Sequence, residues 1–576
     1  MPATFIITLD ESGPVLTVKD DALCRRDVDF FRGEGIEVLV VGYPHVAGPA
    51  WVSARDVAGG YMSVGRLEVG DVYGFFIIVV LDTTSGRVWI ATDRFACYDV
   101  FVRGGGAETV ISDSVEDIAR RTDCLTVDVD AVAQYLCFGH FIGPRTHFEE
   151  VEKLPGATVA VGERDGLQSS RYWRFGEDPA PEGSMKVGEV VDAMEAHLGE
   201  CLSLASGATV SLTGGLDSRS VLAICLPHRS RLRGFSYGGP SNRDVRTAAR
   251  LCASVGVGHR RYGLGGEATA CLPENAGAAA RRMNGMVNFI LFSHLDAVYA
   301  AESHCSDALL TGIGADLFRG YWIRGGRERP AGPAEIIPTA VRRWCRSRVP
   351  GLLKWEGPGR VMERTREDLE ERARRDGEGD PGLFAEFACL RERNTNFATY
   401  IVSTAGEHLT TWDAFLFGPL QEMARGLPRA DRVDRLVERT MVQRAAPLAR
   451  IATVKGQAAG LERLGAAEQM RAGGFVTGDY YRKSVNWLGR RLLSREPAGH
   501  TYTVDYTDAL VANRDLVRDV LDPRSMLTAD LYDPAVLEEN RDLMLRGCGN
   551  LVYEMTNVMC LEMWLRHIAG LTRLSM

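Results

Sequence analysis

The stretch Ala208-Thr209-Val210-Ser211-Leu212-Thr213-Gly214-Gly215-Leu216-Asp217-Ser218-Arg219 changes character at its two glycines. Its first five residues have the short apolar pattern of a buried strand, and residues 218–225 have the pattern of a helix. Consecutive glycines between them allow the sharp turn that joins a strand to a helix. The stretch therefore predicts a strand, a tight turn and a helix, the unit from which α/β sheets are built.

The residues around this stretch continue the alternation. Strands are predicted at 232–237, 259–264 and 307–311, and helices at 187–204 and 244–254. Strands that alternate with helices indicate a parallel, doubly wound sheet with helices on both faces. Ligands of such sheets bind at the carboxyl ends of the strands, which is where the two glycines lie.

The N-terminal part of the chain is dominated by strands. Apolar strands are predicted at 36–42, 74–82 and 87–92, and Thr83-Thr84-Ser85-Gly86 joins the last two as a hairpin. Several strands at short spacing indicate sheet-on-sheet packing, with helices added, in an α+β domain.

A segment rich in Pro, Gly and acidic residues, 175–183, separates the two patterns and is typical of a linker. We therefore predict two domains, at 1–175 and 185–576. Within the second domain, residues 324–381 form a charged, Arg-rich insertion. Its i,i+4 charge pairs are typical of a solvated helix, and a lid or a substrate-docking surface is the functional alternative. Residues 505–576 are predicted to be helical.

The composition excludes several classes of function. The 576 residues carry a net charge of −9, which argues against binding to nucleic acid or to a membrane surface. Thirteen cysteines are scattered without a Cys-x-x-Cys pair, so neither a disulfide framework nor a zinc ribbon is expected. The first residues lack a basic region and predict a strand, and no apolar run is long enough to span a membrane. We expect a cytoplasmic protein.

The glycine turn has the chemistry of a phosphate site. Gly214 and Gly215 expose backbone N–H groups, the following helix N-terminus adds more, and the Thr213 and Ser218 hydroxyls can donate to the same oxygens. Asp217 would repel phosphate unless a cation lies between them, so a Mg²⁺ ligand is its natural role. The alternative is an ordinary turn in which Asp217 begins the helix.

A second turn supports this interpretation. Leu309-Leu310-Thr311-Gly312-Ile313-Gly314-Ala315-Asp316-Leu317-Phe318 also has the pattern strand, glycine turn, helix. It predicts Gly312 and Asp316 at the same edge of the sheet as Asp217. The two aspartates would then share Mg²⁺ bound to ATP phosphates, although Asp316 by itself is equally typical of a helix cap.

These motifs resemble those of the asparagine-synthetase-like enzymes. The resemblance rests on S-L-T-G-G-L-D-S-R at 211–219, F-S-Y-G at 235–238 and T-G-I-G-A-D-L-F-R-G-Y-W at 311–322. It implies an N-type ATP pyrophosphatase domain that adenylates a substrate carboxylate, releases pyrophosphate, and lets an amine displace AMP. The residues it implies for ATP and pyrophosphate are Leu212, Thr213, Gly214, Gly215, Asp217, Ser218, Phe235, Ser236, Tyr237 and Gly312.

The N-terminal half resembles the same family. G-F-F-I-I-V-V-L-D at 74–82, A-T-D-R-F-A-C-Y-D-V-F-V at 91–102, K-L-P-G-A at 153–157 and R-Y-W at 171–173 are similar to its Ntn-type glutamine amidotransferase domain and the exit from it. The resemblance thus implies the order of the two domains as well as their folds.

Two further residues take roles from the resemblance. Lys455, in Ala452-Thr453-Val454-Lys455-Gly456-Gln457, is placed like the lysine that stabilises the transition states. Glu407 resembles the glutamate before a Pro-Phe-Leu-Asp stretch, which is degraded here to Thr411-Trp412-Asp413-Ala414, and it is a candidate general base. A surface lysine on a polar loop is the alternative for Lys455.

The sequence departs from the family pattern at three positions. Glutamine-hydrolysing members have Cys after the initiator Met, whereas this chain has Pro2 and its first cysteine is Cys24, so we expect no glutaminase activity. Ile313 replaces the Glu of asparagine-forming members and the Tyr of β-lactam-forming members, and it cannot relay a proton. Leu317 replaces the usual Glu.

The nitrogen must then come from ammonia or from an amine on a substrate. The degenerate N-terminal domain, the T-G-G-L-D-S-R spelling and the Arg-rich insertion are most similar to the macrolactam-forming lasso peptide cyclases. That subgroup implies a precursor peptide as substrate and a leader-peptide-binding or protease partner. An asparagine synthetase-like enzyme, a small-molecule amide or β-lactam synthetase, and a non-catalytic ATP-binding scaffold remain alternatives.

Overall fold

A computed structural model describes most of the chain. Pro2, part of the predicted linker and part of the charged insertion lie outside the described residues. The description covers residues 4–575 except 47–49, 105–107, 165, 175–179, 266–269, 320–332, 346–350, 355–356, 377–390, 417, 419, 494–505 and 548–550.

The N-terminal domain contains two antiparallel sheets. One has the strand order β10-β7-β8-β1-β2 and the other β12-β11-β6-β5-β4-β3, which confirms the predicted sandwich. The strands of this domain are β1 (Phe5–Asp10), β2 (Gly13–Val18), β3 (Val28–Gly33), β4 (Ile36–His45), β5 (Tyr73–Asp82), β6 (Arg87–Thr92), β7 (Phe101–Arg103), β8 (Thr109–Ser112), β9 (Cys124–Thr126), β10 (Val151–Lys153), β11 (Thr158–Glu163) and β12 (Gly166–Arg171).

Helices cover both outer faces of this sandwich. In β5, Ile77 and Val79 pack between the two sheets. The alternate residues, Phe76, Ile78 and Val80, pack against helix α1 (Ala54–Val64) on the outer face. The other sheet is covered by α2 (Val115–Ala119) and α3 (Val129–Phe138). The resulting helix–sheet–sheet–helix layers explain why the 74–82 strand is apolar on both faces.

The second domain is built on a five-stranded parallel sheet, with the order β15-β14-β13-β16-β17. The chain leaves β13 in one direction to make β14 and β15, and then returns to the other side of β13 for β16. This reversal is the switch point of a doubly wound fold, as predicted. The strands are β13 (Ala208–Ser211), β14 (Leu232–Tyr237), β15 (Gly258–Tyr262), β16 (Ala308–Thr311) and β17 (Thr410–Asp413), and the first helices are α4 (Val187–Leu204), α5 (Asp217–Cys225) and α6 (Arg243–Val255).

The strand β17 was not predicted. Its residues, Thr410-Thr411-Trp412-Asp413, lack the apolar pattern of the other strands, yet all four are buried. They pair with β16 along its whole length and lie under the N-terminal domain, where Trp412 stacks on Trp51. Tertiary contact therefore buries a polar segment that shows no strand pattern by itself.

The charged insertion is helical but is not simply solvated. Its helix Pro358–Asp376 buries Val361 and Leu369 against Ala133 and Cys137 of α3. The insertion thus packs on the N-terminal domain, which corrects the prediction of a solvent-covered helix. A second helix of the insertion is Pro333–Trp344.

The C-terminal region is helical, as predicted, and it joins the two domains. Met555, Val558 and Leu561 are buried in the helix Val552–Ala569, and the last strand, β18 (Arg573–Ser575), pairs with β9 of the N-terminal domain. No described helix is both long and apolar enough to cross a membrane. The remaining helices are Leu272–Arg282, Leu295–Ser303, Thr399–Gly406, Leu420–Gly426, Arg429–Val433, Leu436–Gln443, Ala446–Ala449, Ala466–Leu493, Thr507–Ala512, Arg514–Val520 and Pro534–Leu545.

Candidate active site

The two glycine turns meet at the switch point of the parallel sheet. The first follows β13 and leads into α5, and the second follows the neighbouring strand β16. A β-carbon on Gly312 would lie 3.2 Å from the Asp217 carbonyl carbon, so the second turn touches the start of α5. The structure therefore brings together the residues that the sequence placed at one edge.

Side-chain oxygens hold the N–H groups of the first turn. The Thr213 N–H donates to Ser218 Oγ over 3.1 Å, and the Gly214 N–H donates to Asp244 Oδ1 over 2.7 Å. The Gly215 N–H points to Thr213 Oγ1 at 3.3 Å. These N–H groups are the predicted phosphate donors. In the structure, Asp244 of α6 is the acceptor for the Gly214 N–H, and residues of the turn and of α5 are the acceptors for the other two.

The second turn carries the polar side chain Asp316 between apolar residues. Asp316 begins the short 3₁₀ helix Ala315–Phe318 after Gly314, which has a φ of 82°. Ile313 packs against the main hydrophobic core, and Leu317 is buried in that core. Neither position that departs from the family pattern therefore offers a proton-transferring group to the site.

Two arginines surround the Asp217 carboxylate. Arg319 and Arg435 both form ion pairs with Asp217. Arg319 also binds Asp316 at 2.8 Å, so one guanidinium connects the two predicted metal ligands. No sequence motif predicts this contact for either arginine.

Glu438 lies behind these arginines and has no solvent-exposed side-chain surface. Its Oε1 is 2.8 Å from Arg435 Nη2 and 3.8 Å from Arg319 Nε. Burial raises the pKa of Glu438 to about 7, against the lowering effect of Arg435. The pocket therefore contains three acidic side chains and two permanently charged guanidinium groups.

The turn with Lys455 lies directly over the first glycine turn. The Val454 N–H donates to the Gly214 carbonyl at 3.1 Å, and Arg243 of α6 donates to the Val454 carbonyl. The next residue, Lys455, is exposed, and Gly456 closes the turn with a φ of 77°. The structure thus places Lys455 next to a residue that is bonded to the first glycine turn.

Arg219, the last residue of the T-G-G-L-D-S-R motif, is fully buried below this turn. Its guanidinium donates to the carbonyls of Gly214, Leu448, Ile451 and Ala452, at 2.5–3.3 Å. It therefore fixes the first glycine turn against the segment that leads to Lys455. Burial lowers the pKa of Arg219 to about 10, which still leaves it charged. Arg219 lies in the first turn of α5, and nothing in the local sequence pattern predicts that its side chain is buried against these carbonyls.

The F-S-Y segment borders the site mainly through its backbone. The Phe235 carbonyl accepts the Leu212 N–H at 2.8 Å, whereas the Phe235 ring is buried. Ser236 Oγ is hydrogen-bonded to His259 Nε2 at 2.9 Å, and the Tyr237 ring packs on His294. The ring of Phe235 is therefore part of the core and is not free to contact a nucleotide.

Glu407 does not lie near this site. It precedes β17, so it lies at the amino edge of the sheet, opposite the glycine turns. Arg282 binds it at 3.1 Å and also binds Asp296 at 2.8 Å, and His408 completes this group. The assignment of Glu407 as general base at the nucleotide is therefore wrong, because the strand separates the two places.

The donors at the switch point fit a divalent metal. Asp217 and Asp316 offer the carboxylate oxygens that Mg²⁺ prefers, and both already bind a common cationic group, Arg319. Magnesium usually completes its shell with water and substrate phosphates, so two carboxylates are a sufficient protein contribution.

Comparison with known proteins gives family matches for both domains. Residues 55–173 match the glutamine amidotransferase domain family, and residues 192–449 match the asparagine synthase family. The two matches fall on the two observed domains in order. The chain belongs to the asparagine-synthetase-like family. The predicted fold class, an amidotransferase-like sandwich followed by a parallel sheet, is confirmed for this member.

Curated relatives of this family member are distant. Proteins described as "Putative asparagine synthetase (glutamine-hydrolyzing)" from Mycobacterium bovis and Mycobacterium tuberculosis are 25% identical over 308 residues, which is 50% of this chain. The match spans only 45% of the length of these relatives.

Solved structures give weaker matches. The allosteric regulatory enzyme of purine biosynthesis has a TM-score of 0.19 and 10% identity, over 45% of this chain and 58% of that one. Glutamine-dependent NAD⁺ synthetase from Acinetobacter baumannii has a TM-score of 0.18 and 14% identity, over 34% and 45%.

Proposed function

We propose that this chain is an ATP-dependent synthetase that adenylates a carboxylate and couples it to an amine. The observation that carries the proposal is the meeting of the two glycine turns, with Asp217 and Asp316 bound to the same guanidinium of Arg319. The N–H donors and cations suit the phosphates of a nucleoside triphosphate, and the carboxylates suit its metal ion. Family membership supports the same class of reaction.

In the first step, a carboxylate oxygen attacks the α-phosphorus of ATP. The bond to the β-phosphate oxygen breaks, and pyrophosphate leaves with the electron pair. The first glycine turn would bind the pyrophosphate part through the N–H groups of Thr213, Gly214 and Gly215. Lys455 lies beside this turn and would stabilise the charge that develops on the transferring phosphate. Asp217 and Asp316 would hold Mg²⁺, which neutralises phosphate charge when bound.

In the second step, an amine attacks the acyl-adenylate carbonyl, and AMP leaves. Ile313 packs in the core and cannot accept the proton of the amine. The amine therefore attacks in its neutral form, and the nitrogen then loses one proton to water or to the departing AMP, which leaves with the electron pair of the broken acyl–oxygen bond.

We also propose that glutamine is not the nitrogen source. In the N-terminal domain, Cys97 lines the cavity between the domains together with Arg25 and Glu407. Burial raises the pKa of the Cys97 thiol well above its usual value, so this cysteine stays protonated and is a poor nucleophile. Free ammonia or an amine carried by a substrate is then the partner of the activated carboxylate.

The finer proposal is macrolactam formation on a precursor peptide, as in lasso peptide cyclases. It rests on the motif that ends in Arg219 and on the Arg-rich insertion, which packs on the N-terminal domain. The reaction would join an Asp or Glu side chain to the peptide N-terminal amine and remove one water.

The test supplies ATP and Mg²⁺ with free amino acids, ammonia or peptides that carry an N-terminal amine and an internal acid. We expect pyrophosphate release only with the right carboxylate, and a peptide product lighter by one water. Asp217→Asn and Asp316→Asn should abolish release, whereas Asp307→Asn, which removes a bond to the Ser206 N–H far from the turns, should not.

Three results would contradict parts of the proposal. ATP binding without exchange of labelled pyrophosphate into ATP, for all carboxylates, would indicate a non-catalytic scaffold. Asparagine formed from ammonia would exclude the peptide substrate. Glutamine hydrolysis at the rate of the coupled reaction would contradict the proposed nitrogen source.

A further inference from the structure

Two guanidinium groups converge on the Asp217 carboxylate at the start of α5. Arg319 and Arg435 both form ion pairs with Asp217, and Arg319 also binds Asp316. Their side chains are 18% and 31% exposed, so both guanidinium groups are partly open to solvent.

The two arginines lie next to different helices, and the same buried carboxylate, that of Glu438, contacts both. Arg319 follows the 3₁₀ helix after β16, and Arg435 precedes the helix Leu436–Gln443. Arg435 has a φ of 57°, a conformation that a non-glycine residue rarely adopts. Glu438 contacts both guanidinium groups from the buried side. This arrangement directs two cations toward the start of α5.

The two guanidinium groups lie beside the glycine turn, where the phosphates of a nucleotide bound with Mg²⁺ would reach them. Asp217 lies at the end of the first glycine turn, whose N–H donors bind only side-chain oxygens in the structure. A triphosphate bound to this turn would bring several negative charges to within reach of the arginines. Guanidinium groups suit phosphate oxygens because they donate two parallel hydrogen bonds.

We propose that Arg319 and Arg435 bind the β- and γ-phosphates of ATP and the departing pyrophosphate. In the structure without nucleotide, they neutralise Asp217. With nucleotide, they exchange this carboxylate for phosphate oxygens, and Asp217 becomes available as a metal ligand. The inference rests on the proposed function, since it assigns the cations for pyrophosphate release in that reaction.

Calorimetric titration of the full chain with inorganic pyrophosphate, and separately with ATP, tests the assignment in the presence of Mg²⁺. Arg319→Gln and Arg435→Gln should each weaken pyrophosphate binding by about 10- to 100-fold, the loss expected for charge-assisted hydrogen bonds. Arg319→Lys and Arg435→Lys should recover part of the affinity, because they keep the charge but lose the paired geometry.

Arg439→Gln is the matched control. Arg439 lies on the helix that Arg435 precedes, but it donates to the Gly460 carbonyl, so this variant should bind pyrophosphate like the unmodified chain. Circular dichroism of each variant shows whether it is folded, and the lysine variants decide the result if a glutamine variant is not.

The inference is overturned if the folded Arg319 and Arg435 variants bind pyrophosphate as tightly as the unmodified chain does, or if the unmodified chain binds none. A failure of the proposed function has a different signature. In that case pyrophosphate binds and depends on the arginines, but no carboxylate supports its exchange into ATP.

Discussion

Val454 packs directly on the α-carbon of Gly214. The Val454 N–H donates to the Gly214 carbonyl at 3.1 Å, and a β-carbon on Gly214 would overlap Val454 Cγ1. This contact joins the predicted phosphate turn to the turn that carries Lys455. It explains why the position has no room for a side chain.

Gly214→Ala should displace the Lys455 turn. The added methyl group forces Val454 away, at a cost of about 1–3 kcal/mol in the free energy of unfolding. Carboxylate-dependent pyrophosphate release should fall more than stability does, because Lys455 moves with Val454. Both quantities are measured by urea unfolding and by a pyrophosphate assay.

Val454→Ala in the Gly214→Ala background provides the control. Removing Cγ1 relieves the main overlap, so the double variant should recover part of the lost activity, with Thr247 still close at 3.0 Å. A double variant no better than the single one would show that the overlap is not the cause.

Arg219→Met should destabilise the chain by about 2–4 kcal/mol. The substitution keeps much of the volume but leaves carbonyls such as those of Leu448 and Ala452 buried without a donor. Urea unfolding measures the change. Arg229→Met, at an exposed position of the following 3₁₀ helix, should change stability by less than about 0.5 kcal/mol. Equal effects of the two variants would contradict a structural role for Arg219.

Lys455→Ala should reduce activity without reducing stability. Lys455 is exposed, so its truncation should alter the free energy of unfolding by less than about 0.5 kcal/mol. Loss of a charge that acts on the transition state typically lowers the rate by about 10²–10³-fold. Pyrophosphate release should show this loss, and Lys483→Ala on an exposed helix position should not. A Lys455→Ala rate within twofold of the unmodified chain would support the surface-lysine alternative.

The buried Asp413 should make stability fall as the pH rises from about 4 to 8. Burial at the end of β17 raises the pKa of its carboxyl group to about 8, although it accepts the N–H groups of Phe415 and Leu416. Above pH 4 the unfolded chain loses this proton while the folded chain keeps it. The resulting loss of stability is at most about 1.4 kcal/mol per pH unit and stops above pH 8.

Asp413→Asn tests this pH dependence, because an amide does not titrate. The free energy of unfolding of Asp413→Asn, relative to that of the unmodified chain, should therefore increase with each pH unit between 5 and 8. Asp530→Asn, at a fully exposed position, should follow the unmodified chain. A constant difference across this range for Asp413→Asn would mean that its pKa is not raised.

Much of the fold is readable from the sequence because its signals are local. Apolar alternation at 74–82, the helix pattern of 187–204 and the strand at 232–237 each depend on neighbours in the chain, and the structure confirms them. The contact between Gly312 and Asp217 could also be predicted from the sequence. Parallel strands share one carboxyl edge, so the order of strands and turns suffices to predict it.

Tertiary structure decided what depends on residues distant in the chain. The polar strand β17 forms because β16 pairs with it and the N-terminal domain buries it. Glu407 falls on the wrong edge of the sheet because it precedes that strand. Arg319 and Arg435 meet at Asp217 although they lie on different elements. An arginine has the same local pattern on a surface and in a pocket, and only the packed chain brings its partners within reach.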